Sequence, residues 1–133
     1  MYQTTITIGG KEVNMRYCAA TETGYEAMSG NSISVFTPKI GKDEDGNDTI
    51  IEKAQATMSD CLTLAVAAIV AAYAREGKEA PLTSTYILYE STPEEVRLLI
   101  NTVIALRSEW YNVPNVVGKE MEEKQEERDP KND

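Results

Sequence analysis

Apolar and polar residues alternate from Thr5 to Ile8, and again from Val13 to Tyr17, on either side of Gly9-Gly10. Period-two patterning around a glycine pair that tolerates positive φ predicts a β-hairpin. Ile6 and Ile8 then share one face, matched by Val13, Met15 and Tyr17 on the second strand. A short helix is expected from Ala20 to Ser29, with Thr23 and Glu26 at capping-box spacing, Gly30 as the stop and Gly24 as a weak point. Ser32 to Phe36 is a brief apolar stretch that either extends the sheet or packs on it.

Residues 37–49 are rich in turn formers, lack an apolar period and predict an exposed loop. The main core helix is expected from Ser59, its cap, to Glu76, with Gly77 ending it. Between Ser84 and Glu90 strand-favouring residues compete with a Thr83 cap, and a two-turn helix is preferred. Thr92-Pro93-Glu94-Glu95 combines an N-cap Thr, a first-turn Pro and a Glu at the third helical position, predicting a helix to Tyr111, with Pro114 beyond it. On this helix Val96, Leu99, Ile100, Val103, Ile104, Leu106, Trp110 and Tyr111 form a broad apolar face. The expectation is an α+β fold, mainly α-helical: an N-terminal β-hairpin followed by a small bundle of three to four helices. Residues 1–114 form one domain, and 115–133, with seven acids and four bases, a disordered or frayed tail.

The composition narrows the chemistry. Of 133 residues 41% are hydrophobic and 26% charged, near the globular average. Thirteen bases against twenty-two acids leave a net charge of -9, the wrong sign for nucleic acid. Histidine is absent, which removes Ser-His and Cys-His triads and most zinc sites. Cys18 and Cys61, the two cysteines, read as buried thiols in a reducing cytoplasm. Residues 1–8 do not look like a leader. The longest apolar run, Leu62 to Ala74, reaches roughly 20 Å against a hydrocarbon core of about 30 Å, so it reads as a buried helix rather than a membrane span.

Candidate sites are few. Asp43, Asp45 and Asn47 occupy the first, third and fifth positions of a calcium loop, with Ile50 at the eighth, but Asp48 stands where glycine is needed and Ala54 where a bidentate Glu belongs. A solvated acidic loop is the better reading, and no metal or cofactor is expected. On the core helix, Leu62, Val66, Ile69, Val70 and Tyr73 make a large-residue face, while Ala65, Ala67, Ala68, Ala71, Ala72 and Ala74 surround Leu64 on the other. The alanine side either receives a helix of the same domain, the favoured reading, or floors a groove for a partner's helix. Trp110 and Tyr111 are interface anchors or core closure. Leu64, Ala68, Ala71, Trp110 and Tyr111 are therefore the candidate partner-binding residues. Arg107, inside the apolar face, is expected to snorkel or to pair with a nearby carboxylate. Nothing places two carboxylates for acid–base chemistry, and no enzyme is expected.

The order of elements, together with Ile8-Gly9-Gly10-Lys11, Ser29-Gly30-Asn31-Ser32-Ile33, Ala68-Ile69-Val70-Ala71-Ala72-Tyr73, Ile87-Leu88-Tyr89-Glu90 and Leu106-Arg107-Ser108-Glu109-Trp110-Tyr111-Asn112-Val113-Pro114, resembles the tail assembly chaperones of long-tailed bacteriophages. The resemblance covers residues 3 to 117. It implies a helical protein of the host cytoplasm, not part of the mature virion, that binds the tape measure protein, keeps its apolar helices soluble and helps recruit major tail tube subunits. A homo-oligomer is compatible with it, and many members also have a longer frameshifted form. The alternatives are a structural head-tail connector or tail completion protein, and a cytoplasmic protein-binding regulator.

Overall fold

The computed structural model describes residues 2–112, so expectations for Pro114 and the tail lie outside the described residues. Its architecture is the expected α+β one, an antiparallel hairpin followed by helices. Strands β1 (Gln3–Ile8) and β2 (Lys11–Arg16) pair with Ile6 opposite Val13 and Ile8 opposite Lys11. Gly9 and Gly10 take φ of 58° and 77°, as the two-residue turn demands. Ile8, Val13, Met15 and Tyr17 are fully buried, and Ile6 is half-buried.

Helix α1 (Ala19–Ser29) starts one residue before expectation, and its capping box lies elsewhere. Cys18, not Thr23, is the N-cap. The Thr21 hydroxyl accepts the Cys18 N–H at 3.1 Å and donates to the Arg16 carbonyl at 2.7 Å, tying helix to hairpin. Thr21 is thereby buried with its polar group satisfied, whereas the Thr23 hydroxyl, inside the helix, only reaches back to the Ala20 carbonyl. Gly30 ends the helix at φ 75°, as expected. A 3₁₀ turn (Ile33–Phe36) then buries Phe36 edge-on to Tyr25, ring centroids 5.2 Å apart.

The segment expected as a loop at 37–49 is exposed but not irregular. Strands β3 (Lys39–Lys42) and β4 (Asp48–Glu52) form a second antiparallel hairpin. The calcium-like spacing serves its turn: one Asp43 carboxylate oxygen accepts the N–H groups of Asp45 and Asn47 at 3.0 and 2.9 Å, and Gly46 takes φ 80°. Such local bonding by aspartate is the ordinary use of this residue in turns.

Helix α2 (Met58–Ala74) begins at a Thr57 cap, not at Ser59. Thr57 and Asp60 exchange side-chain-to-backbone hydrogen bonds of 3.1 and 2.9 Å, the arrangement that Ser59, with Leu62 three residues on, cannot make. After Ala74 the chain closes through Gly77 at φ 70°, where the Lys78 and Gly77 N–H groups return to the Tyr73 and Ala74 carbonyls at 3.0 Å. Helix α3 (Ser84–Tyr89) follows its Thr83 cap, and α4 (Pro93–Tyr111) has the expected Thr92, Pro93 and Glu95 start.

α2 is the centre of the core, with α1, β2 and α4 packed around it. Leu64, Ala65 and Ala68 are completely buried, and Ala67, Ala71 and Ala72 nearly so. The alanine side is thus occupied by the domain's own elements, whereas Val70, grouped with the large residues, is half exposed. Cys61 is buried and Cys18 only partly so, and the two are not bonded to each other.

Gly24 shows how closely α1 approaches. A methyl group built there would meet the Ala67 methyl at 3.6 Å, an ordinary contact, and the position has no positive φ to preserve. Gly24→Ala is expected to raise stability by about 0.5–1 kcal/mol through helix propensity. Chemical denaturation should show a higher midpoint at unchanged slope.

Candidate docking groove

Helix α4 is fastened to the first hairpin at both ends. At its start, Glu95 uses one carboxylate oxygen to accept the Thr92 N–H at 3.0 Å and the other to accept the Gly9 N–H at 2.7 Å. These backbone donors, Thr92 foremost, hold the Glu95 carboxyl below its ordinary pKa. At its far end, Glu109 accepts the Tyr2 N–H, and the Tyr2 ring stands edge-on to Trp110 at 5.2 Å. β1 and α4 therefore run in opposite directions.

Between the two fastenings lies a groove of about 430 Å³, lined by Gln3 and Thr4 of β1 and by Asn101, Thr102, Ala105, Leu106 and Glu109 of α4. Leu106 is buried and forms floor, whereas Ala105 is exposed and leaves room above it. The rim supplies hydroxyl, amide and carboxylate groups. Among the described residues β1 pairs only with β2, and none of them forms a strand on its second edge. The size falls within the range of ligand-binding clefts, and an apolar floor with a few polar rim groups suits side chains of a protein segment.

An aromatic corner closes the α4 end. Trp110 and Tyr111 are 37% and 43% exposed, available to a partner yet braced from behind. Trp110 leans on Tyr2 and on Tyr17, the latter at 6.1 Å. The Glu22 carboxylate of α1 accepts the phenolic O–H of Tyr17 at 2.8 Å and that of Tyr111. Burial, then the Glu22 partner, pushes both phenols above the ordinary tyrosine pKa, so they remain donors.

Of the two expectations for Arg107, snorkelling or pairing with a carboxylate, the ion pair is not found among the described residues, and the side chain is half-buried. Its guanidinium lies 4.8 Å from the Tyr111 ring and 5.7 Å from Phe36, and Nη2 donates to the Thr37 hydroxyl at 3.0 Å. The positive charge rests on ring faces instead, which orients Tyr111.

Of the five residues singled out in the sequence, the structure brings only Trp110 and Tyr111 to the surface. Leu64 and Ala68 are fully buried and Ala71 is 7% exposed, so these three are interior packing and offer no free surface. The groove residues Gln3, Thr4, Asn101, Thr102 and Ala105 carried no signal in the sequence, since polar or small positions outside an apolar stripe ordinarily just face solvent. Glu22, which joins α1 to the last turn of α4, was equally silent. Among the described residues no three Cys, Asp or Glu side chains are grouped so as to hold a metal ion, and no helix is long and apolar enough to cross a membrane. Compared with protein-family models, curated proteins and solved structures, the chain matches none.

Proposed function

We propose that this chain is a tail assembly chaperone of a long-tailed bacteriophage, acting in the host cytoplasm by binding an apolar helical stretch of the tape measure protein and helping to recruit tail tube subunits. The resemblance in the sequence supplies the family. The observation that carries the reading to a place on the molecule is the groove between β1 and α4, ending in the half-exposed Trp110 and Tyr111. Aromatic anchors braced by their own domain lose little side-chain entropy on binding, which is why such residues dominate interface energetics. The binding role requires no reaction chemistry. It requires a soluble acidic surface that stays dispersed while holding an apolar client, and the net charge of -9 supplies it.

Coexpression with the matching tape measure protein tests the reading. The client's soluble fraction should rise, and the pair should elute together at high salt, where a purely electrostatic complex would come apart. Ala105→Arg localises the contact: it fills the groove from an exposed position, so melting should stay within a degree or two while client binding falls tenfold or more. A tape measure protein equally soluble alone would defeat the chaperone reading. Undiminished binding by the Ala105 variant would defeat only the groove.

A further inference from the structure

The last turn of α4 delivers the chain to the mouth of the β1–α4 groove. Asn112 ends the helix in the left-handed region, at φ 54° and ψ 49°, and its N–H returns to the Glu109 carbonyl at 3.2 Å. Glu109 is itself a groove residue. A left-handed residue after the last turn takes the chain off the helix axis, so whatever follows Asn112 starts within one turn of the groove.

Residues 113–133 follow, and their apolar side chains are gathered at the near end. Val113, Val116 and Val117 fall within the first five, whereas from Lys119 to Asp133 Met121 is the only one, Pro130 aside. From Trp110 to Gly118 no residue is charged, in a chain of net charge -9. Residues 113–117 therefore enter an apolar cleft without burying a charge, which the Lys- and Glu-rich remainder cannot do. Pro114 biases Val113 toward extended backbone, and three β-branched valines favour the same conformation.

We propose that, when no partner is bound, the groove is filled by the chain's own residues 113–117, laid back along α4 as an extended segment beside the open edge of β1. The lengths agree. Five extended residues span about 17 Å, and Asn101, at the far end of the groove, lies about 16 Å back along the helix from Asn112. Because α4 and β1 run in opposite directions, a segment returning along α4 runs with β1 and pairs with its edge in parallel. Val116 arrives near Ala105, the exposed small residue that leaves room above Leu106. Gln3, Thr4, Asn101 and Thr102 offer amides and hydroxyls to the segment's backbone. The tether makes weak contacts sufficient, since a short linker holds its segment at millimolar effective concentration. A client that uses the groove must then displace residues 113–117, and its apparent affinity falls by the fraction of time the groove is open. That last step rests on the chaperone reading, whereas the occupancy does not.

Nuclear magnetic resonance of the full chain with labelled alanine, leucine and valine methyls tests the occupancy without a client. Nuclear Overhauser contacts are expected from Val116 or Val117 to Ala105 or Leu106. Ala105→Arg should move both valine methyls to the shifts of an unstructured peptide, and Val116→Asp with Val117→Asp should move the Ala105 and Leu106 methyls while leaving that of the buried Leu64 in place. Absent contacts, or valines unmoved by Ala105→Arg, would overturn the proposal. Contacts seen only between differently labelled copies would overturn it too, by putting the segment in another chain's groove. With the matching tape measure protein, the double Asp variant should bind at least fivefold more tightly than the original chain. Equal or weaker binding would overturn the displacement step. No binding by either protein would defeat the chaperone reading, while the methyl contacts still decide what fills the groove.

Discussion

Ala71→Glu is expected to cost about 4 kcal/mol, lowering the melting temperature by some 15 °C or leaving the protein insoluble. Ala71 is 7% exposed on the side of α2 that the rest of the domain covers, so a carboxylate there is taken out of water. Because a domain of this size is held by only about 5–15 kcal/mol, such a loss takes a large share of the total. Ala74→Glu, three residues on and exposed, is the control and should shift stability by no more than about 0.5 kcal/mol. Thermal unfolding followed by circular dichroism distinguishes the two. Equal melting of both variants would mean that the alanine side is open surface after all.

Asp60 is the second position where a single atom group holds much of the structure. One carboxylate oxygen accepts the Tyr25 hydroxyl at 2.8 Å and the Asn31 amide at 3.0 Å, and the other accepts the Thr57 N–H and hydroxyl at 2.9 and 3.0 Å. Four donors from three segments converge on it, joining α1, the bend after α1 and the start of α2. Burial pushes the carboxyl pKa up, but the Thr57 backbone, Tyr25, Asn31 and the Thr57 hydroxyl outweigh it, and the net result lies below the ordinary aspartate value. Asp60→Ala leaves the fully buried Tyr25 hydroxyl without its acceptor and should cost about 3 kcal/mol. Asp60→Asn is not conservative, because an amide NH₂ in place of either oxygen faces donors.

The sign of the pH dependence follows from the lowered pKa. The unfolded chain binds a proton at Asp60 at higher pH than the folded chain does, so its contribution is complete above the unfolded value of about 3.9 and fades as pH falls through the folded value. Stability measured from pH 6 down to pH 2 should fall more steeply for the original protein than for Asp60→Ala. Parallel curves would remove Asp60 from the acid response.

What could be read from the chain divides by the range of the interactions concerned. The first hairpin was legible because Gly9-Gly10 and the alternation beside it are local, and α4 because Thr92, Pro93 and Glu95 satisfy its first turn within three residues. The start of α2 was written just as locally in Thr57 and Asp60, but Ser59 is itself a favoured cap and stands closer to the apolar run. For α1, a cysteine cap gave no recognisable signal, since the Thr21 hydroxyl does the bonding. The second hairpin escaped because four- and five-residue strands around a five-residue acidic turn contain too few apolar positions to show a period. The groove and its aromatic corner depend on pairs such as Tyr111 with Glu22 and Trp110 with Tyr2, brought together only by folding.

The two fastenings of α4 to the first hairpin join residues 86 and 107 positions apart. Contacts of such long loop closure form after local ones have lowered their entropic cost. Hairpin, helix caps and the α1–α2 pair can be in place while the walls of the groove are still separate. The groove is thus completed only when the chain's own apolar helices have already been put away, and on the proposed reading a partly folded copy has no finished cleft with which to hold a client.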